Sequence, residues 1–445
     1  MTLNPLDTKL SQSGESHTSL RSTSLRSASI WRGAILPYVV TRLGLVMVGL
    51  LADFYILPLL KYTSILPSPA ANTRFPELLW LMWQRFDSGF YLNIAQAGYW
   101  PASTLHTYSN WAFFPLYPVL IFLVAHLFGG SSVAFSLAGL LISNAAALIA
   151  VCYLYKLLRR EFGANTASLS VIYLVLFPTA FYLSAIYTES LFLACAVACI
   201  YYARQQCWWL SGLCGGLASL TRAQGVCLLL PVAWEYWQVL SDRYAPLTSA
   251  AQDNFYARSR AWLTSRLRGP LLATRTLRNW LSLCVLGLIP AGLLTFLIYG
   301  KIKTGHFLAT FDNQKWGWGR TLTDPLQLLF MSLVHPEKAN PMDWNFWLFN
   351  VCIALLFLGF TVWAFRKLPM IYALFTLVMV LVPLSSSRLN SLSRYYLIVF
   401  PIFMLLALWS KNVEQANRRL LIMVLFAMMQ TILMVFFVLG LPAIA

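Results

Sequence analysis

From residue 36 to residue 440 the chain alternates long apolar runs with short loops, and the loops carry most of its arginines and lysines. A helix that crosses a bilayer needs about 20 mostly apolar residues at 1.5 Å of rise each. Runs at 36–60, 133–155, 165–185, 188–204, 207–221, 223–240, 280–300, 346–365, 368–385, 395–410 and 419–440 meet or approach that length. The pattern therefore predicts an all-α polytopic membrane protein with about eleven transmembrane helices. With 11% charged residues against the roughly 25% usual for soluble domains, a soluble globule is excluded.

The net charge of +17 could point to nucleic acid. Its placement points to the positive-inside rule instead: Lys156, Arg159 and Arg160, seven arginines between 241 and 279, Arg366 and Lys367, and Lys411 with Arg418 and Arg419 all fall on one side of a single topology. These loops are expected to contact anionic lipid, with no nucleic-acid role. The eight cysteines lie in or beside apolar runs without metal-ligand spacing, so they are read as small hydrophobes; no metal site and no cofactor are expected, with a divalent metal left open. Residues 1–30 are rich in Ser and Thr and read as a disordered cytoplasmic tail, followed by one integral membrane domain over 31–445. Arg21, Arg26, Arg32 and Arg42, before or at the start of the first span, orient it from inside to outside.

Residues 61–112 then form an external loop, 241–279 a basic cytoplasmic loop and 301–345 a second external loop. The Pro-flanked run 115–128 is read as re-entrant or interfacial, because counting it as a span would put Lys156, Arg159 and Arg160 outside.

This topology gathers several polar residues at the external face. Asp87 sits in Trp-Gln-Arg-Phe-Asp-Ser-Gly-Phe-Tyr (83–91), in a chain with only 15 acidic residues. A carboxylate among aromatics near the membrane is costly and calls for a reason. Asp87 is the candidate base; Asp-Ser-Gly also reads as a helix N-cap. Arg222, Arg388 and Arg394 at external helix ends run against the positive-inside bias and are candidates to hold a phosphate, whose oxygens the planar guanidinium pairs two at a time. The structural alternative for Arg394 is snorkelling or a salt bridge to Glu189. Glu189 reads otherwise as an acid favoured by the N-terminus of its helix.

The order and spacing of these stretches resemble the PIG-V-like mannosyltransferases (GPI mannosyltransferase 2-like), within the C-type superfamily (GT-C) of integral-membrane glycosyltransferases. The resemblance runs over roughly 31–440. It is carried by 83–91, by Phe-Phe-Pro-Leu-Tyr-Pro (113–118), by Phe177 to Ser184 leading into Tyr-Thr-Glu-Ser-Leu-Phe (187–192), by Leu-Thr-Arg-Ala-Gln-Gly (220–225), and by Arg394-Tyr395 before Phe400-Pro401. It implies a GT-C-like bundle that moves a sugar, mannose in that family, from a polyprenyl-phosphate donor to a lipid or glycan acceptor hydroxyl at the external or luminal face. The acid of the first external loop, here Asp87, would be the base. One displacement inverts the anomeric centre.

Trp83, Tyr91, Tyr187, Glu189, His306 and Tyr395 are the further substrate-binding candidates. The segment Lys303 to Phe307, followed by Gln314, Trp316 and Arg320, departs from the family's Thr-Gly-Asp-Pro pattern by carrying His306-Phe307 in place of Asp-Pro. The expected location is a bacterial plasma membrane, or the endoplasmic reticulum in a eukaryote. Two other classes use similar charges: a lipid flippase or exporter, which favours internal repeats, and a polyprenyl-linked glycan ligase, which would not need Asp87.

Overall fold

The computed structural model describes residues 30–62, 76–245, 264, 266, 276–335, 347–389 and 391–441. All but the last residue of the expected tail 1–30, most of the expected basic loop 241–279 and parts of both loops expected to be external lie outside the described residues. In chain order the helices are α1 (Trp31–Leu59), α2 (Ser88–Ala97), α3 (Leu116–Leu127), α4 (Ser132–Phe162), α5 (Ala164–Leu176) and α6 (Glu189–Arg204). Then come α7 (Trp208–Thr221), α8 (Leu229–Tyr244), α9 (Asn279–Thr304), α10 (Ala309–Trp316) and α11 (Pro325–Val334). The last are α12 (Trp347–Lys367), α13 (Met370–Leu384), α14 (Leu392–Tyr396), α15 (Pro401–Ser410) and α16 (Ala416–Val438).

Five of these, α1, α4, α9, α12 and α16, are long and apolar enough to cross a membrane. The protein is an all-α, multi-pass membrane protein. The remaining runs that the sequence reads as spans are shorter helices, and the chain shows why. The run 165–185 stops at Leu176 because Phe177 precedes Pro178 and takes an extended ψ of 141°, as a residue before proline must. The run 395–410 divides into α14 and α15, with Pro401 at the first position of the second piece. The run 223–240 opens with a 3-10 stretch, Ala223–Leu228, before α8 begins.

Antiparallel and parallel neighbours can be read from side-chain contacts. Ser143 reaches Tyr187 and the Tyr153 hydroxyl meets that of Tyr202 at 2.7 Å, so α4 and α6 run the same way. Their C-terminal ends meet in one ionic cluster, where Arg204 contacts Glu161 at 2.7 Å and Glu235 of α8 at 2.6 Å. The start of α3 lies beside the middle of α4, with the Tyr117 hydroxyl 3.0 Å from the Gly139 carbonyl and 2.7 Å from Ser143. At 12 residues α3 is about 18 Å long, well short of the roughly 30 Å hydrocarbon layer. It forms a hairpin with the first part of α4 and stays away from the Arg204 end.

Helices α7 and α9 approach backbone to backbone. A Cβ added at Gly212, Gly216 or Gly292 would lie 2.3 Å from the Val285 carbonyl, 2.7 Å from the Leu288 carbonyl or 2.2 Å from the Gly216 carbonyl. Small residues four apart let membrane helices pack this closely, where lipid offers no hydrophobic drive to association.

Arg42 differs from its sequence reading. It lies not at the start of the first span but buried inside α1. Its guanidinium donates to the Val175 carbonyl at 3.1 Å and the Ala180 carbonyl at 2.8 Å. Gln430 of α16 also donates to the Val175 and Phe177 carbonyls. Irregular backbone within a membrane must find such partners, and these two residues supply them where Pro178 ends α5. Among the cysteines only Cys199 is buried; Cys284 and Cys352 face outward, and all eight are free.

Candidate active site

Asp87 stands at the N-cap position of α2, but its side chain makes no capping bond. Its Oδ2 accepts instead from Arg394 Nη1 at 2.8 Å. Three hydrogen bonds place it there. Arg85 donates Nε to the Val438 carbonyl at 2.8 Å, at the C-terminal end of α16 where the helix dipole favours a cation. The Tyr187 hydroxyl donates to the Arg85 carbonyl at 2.9 Å and accepts from the Asp87 amide at 3.2 Å. Phe86 between them is held at φ 51°, a left-handed conformation that costs a non-glycine residue about 1–3 kcal/mol.

Arg394 is fixed from its own side. Ser391 is also left-handed, at φ 62°, and the Ser393 carbonyl accepts from Thr179 at 2.9 Å. Two of the three non-glycine residues with positive φ among those described thus lie beside the two partners of one ion pair. Such outliers persist where surrounding structure holds them and gather at functional sites.

Glu189 completes the group. Arg222 Nη1 donates to its Oε1 at 2.7 Å, and Arg394 Nε lies 3.3 Å from the same oxygen without hydrogen-bond geometry. Glu189 is 1% exposed and Asp87 20% exposed, so Asp87 is the carboxylate an incoming molecule can reach. Glu189 Oε2 is buried without a hydrogen-bond partner.

Tyr395 joins the arginines. Its hydroxyl accepts from Arg320 Nη1 at 3.0 Å and from Arg394 Nη2 at 3.4 Å, and its ring lies 5.1 Å from the Arg222 guanidinium. Three guanidiniums and two carboxylates meet here, leaving one positive charge in excess.

Arg320 carries no role of its own in the sequence reading. It enters on a strap clipped to the segment after α13: Thr323 N donates to the Ser385 carbonyl at 2.9 Å and Ser387 N to the Thr321 carbonyl at 3.0 Å. An arginine in a loop that the sequence reads as external was the available signal; which loop arginine would fold inward was not readable.

The other sequence candidates are placed differently. Arg388 lies against Gly319, within 2.9 Å of where a Cβ there would stand, rather than on the carboxylates. His306 is exposed after the end of α9, with its amide on the Thr304 hydroxyl. Trp83 is buried in the core. Tyr91 is buried as well, its hydroxyl 3.2 Å from that of Thr188 and its ring edge-on to Phe113 and Tyr117. Trp83, Tyr91 and Tyr187 thus act as framework around Asp87. Among the described residues no three His, Cys, Asp or Glu side chains group as metal ligands.

Known proteins can now be set beside this geometry. Residues 113–249, which include Glu189 and Arg222, match the family of dolichyl-phosphate-mannose-protein mannosyltransferases. That is a GT-C glycosyltransferase family, and the PIG-V-like branch is not the one it names. No curated protein matches the chain. Among solved structures, ArnT from Cupriavidus metallidurans bound to undecaprenyl phosphate aligns at 14% identity and a TM-score of 0.43, over 77% of this chain and 60% of that one. The Archaeoglobus fulgidus oligosaccharyltransferase AglB, in complex with an inhibitory peptide and a dolichol-phosphate, aligns at 12% identity and a TM-score of 0.40, over 81% and 52%. The apo form of the A. fulgidus enzyme aligns at 11% identity and a TM-score of 0.42, over 92% and 56%. The chain thus spans between about half and three fifths of the length of these proteins.

Proposed function

We propose that the protein transfers a sugar from a polyprenyl-phosphate donor to an acceptor hydroxyl at the external face of the membrane, with Asp87 as base and Arg222, Arg320 and Arg394 holding the donor phosphate. The observation that carries this reading is the contact of Asp87 with Arg394, in a site with surplus positive charge inside a membrane-embedded bundle. Asp87 takes the proton of the acceptor hydroxyl as its oxygen bonds to the anomeric carbon, and the bond from that carbon to the phosphate oxygen breaks. The phosphodiester donor carries one negative charge and the departing monoester gains a second. Fixed guanidiniums stabilise that developing charge better than water, which must reorient. Because Arg394 touches Asp87, protonation of Asp87 frees Arg394 for the phosphate at the same step.

A single displacement inverts the anomeric centre, so a β-linked donor mannose yields an α-mannoside. Mannose is the sugar of the family matched over residues 113–249 and of the PIG-V-like resemblance. The test is transfer of radiolabelled mannose from a polyprenyl-phosphate donor by protein purified in detergent. Wild type is expected to transfer, and Asp87→Asn to lose at least about a hundredfold in turnover, the usual cost of losing a general base. Asp87→Asn turnover within a few-fold of wild type would exclude the assigned base.

A further inference from the structure

Near Asp87, whose charge acts on Tyr108, four aromatic rings form a platform. Phe90 lies three residues after Asp87 on the first turn of α2, so the two side chains share a helix face. Its ring stacks on Phe113 with centroids 4.8 Å apart and meets the edges of Tyr108 at 5.3 Å and Trp318 at 5.4 Å. Tyr108 and Trp318 lie 4.0 Å apart.

Two loops hold these rings rigidly. Asn313 donates to the Leu105 and Thr107 carbonyls at 2.8 and 2.9 Å and to the Ser109 hydroxyl at 2.9 Å. Trp318 donates its indole N–H to the Ser109 carbonyl at 3.1 Å. Gly317 presses on the Thr107 carbonyl so closely that a Cβ would come within 2.1 Å.

Against this rigid backing, Tyr108 leaves 56% of its surface open. An interfacial belt residue would be a lone ring facing lipid. Tyr108 instead lies on Trp318 with the ring planes tilted by 39°, and burial and then the Asp87 charge raise the pKa of its hydroxyl. An aromatic face with a hydroxyl donor at its edge, next to a carboxylate, matches the C–H face and rim hydroxyls of a pyranose ring.

Resting on the transferase reading above, we propose that Tyr108 over Trp318 is a pyranose-binding subsite that presents a sugar ring to Asp87. The ring could belong to the donor or to a glycan acceptor, and the two are separable by kinetics. Aromatic contacts of this kind are worth up to about 1.5 kcal/mol, or roughly tenfold.

The experiment compares wild type, Tyr108→Ala and Tyr108→Phe for donor KM and for the KM of octyl α-mannopyranoside as acceptor. Binding of methyl α-mannopyranoside is followed in parallel by saturation-transfer NMR on detergent-solubilised protein of unchanged melting temperature. Tyr108→Ala is expected to weaken pyranoside binding about tenfold, with Tyr108→Phe restoring most of it because the ring remains. A shift confined to acceptor KM assigns the ring to the acceptor, and one confined to donor KM assigns it to the donor. Binding that depends on Tyr108 without transfer by wild type would sink the transferase reading and leave the subsite standing. Pyranoside binding and both KM values unchanged in Tyr108→Ala would overturn the subsite.

Discussion

Arg394 Nη1 lies 2.8 Å from Asp87 Oδ2, across 307 positions of sequence. A left-handed residue precedes each partner, Phe86 by one position before Asp87 and Ser391 by three before Arg394. Arg394 is 5% exposed, so the pair is largely withdrawn from water. An ion pair in such surroundings is justified by what it positions more than by net stability.

The strain at Ser391 can be measured directly. Ser391→Gly removes the steric cost of φ 62° and is expected to match or exceed wild-type thermal stability, whereas Ser391→Val should lose about 1–3 kcal/mol. Thermal unfolding in detergent reads both, and equal melting temperatures would show that no strain is stored there.

Arg222 and Arg394 should carry donor binding and turnover together. A charge-assisted bond is worth about 1.5–3 kcal/mol, so Arg222→Ala should cost roughly tenfold to over a hundredfold in use of the donor. Arg222→Lys should fall between, since an ammonium keeps the charge but cannot make the planar two-point contact. Arg394→Ala also leaves Asp87 and part of Glu189 uncompensated, so its fold must be verified by melting before kinetics are read. Steady-state kinetics against donor concentration decide the matter; constants unmoved in Arg222→Ala and Arg222→Lys would leave Arg222 as a partner of Glu189 alone.

The α7–α9 seam should tolerate no side chain. Gly216→Val or Gly292→Val places carbons where the opposing backbone now stands and is expected to destabilise by about 1–3 kcal/mol or more. Gly44 and Gly359 have nothing within 4 Å of an added Cβ, and Gly44→Ala should be close to neutral or gain from helix propensity. A melting temperature for Gly292→Val equal to wild type would mean that the seam is looser than this.

Topology has its own test. Since α3 does not reach the Arg204 end, a cysteine placed at Ala164, the first residue of α5 and exposed, should be shielded from an impermeant thiol reagent applied outside, in a background without native cysteines. A cysteine at Thr104 in the Asp87 half should react. Labelling at position 164 from outside would reverse the sides of the membrane and with them the placing of the site.

Several features were legible in the sequence because they are written locally. Apolar run length marks helices α1, α4, α9, α12 and α16, since each must satisfy its own backbone in lipid. The odd placement of Asp87, Arg222 and Arg394 marked them for attention because a charge near lipid is expensive wherever the chain goes next. What no local pattern carried is which charges meet. Arg320 rather than Arg388 faces Tyr395 because the strap 319–323 pairs with 385–387, and that pairing joins segments over sixty residues apart. Glu189, at the first position of α6, binds Arg222 at the end of α7 and flanks Arg394 of α14, contacts that span 33 and more positions of sequence. Nothing local in the sequence marks Tyr108 or Trp318, and the bracing by Asn313 and the Trp318 indole brings their two loops together near Asp87. Helix length follows from each residue's cost in lipid, which is additive along the chain. The site follows from packing between distant segments, which is not.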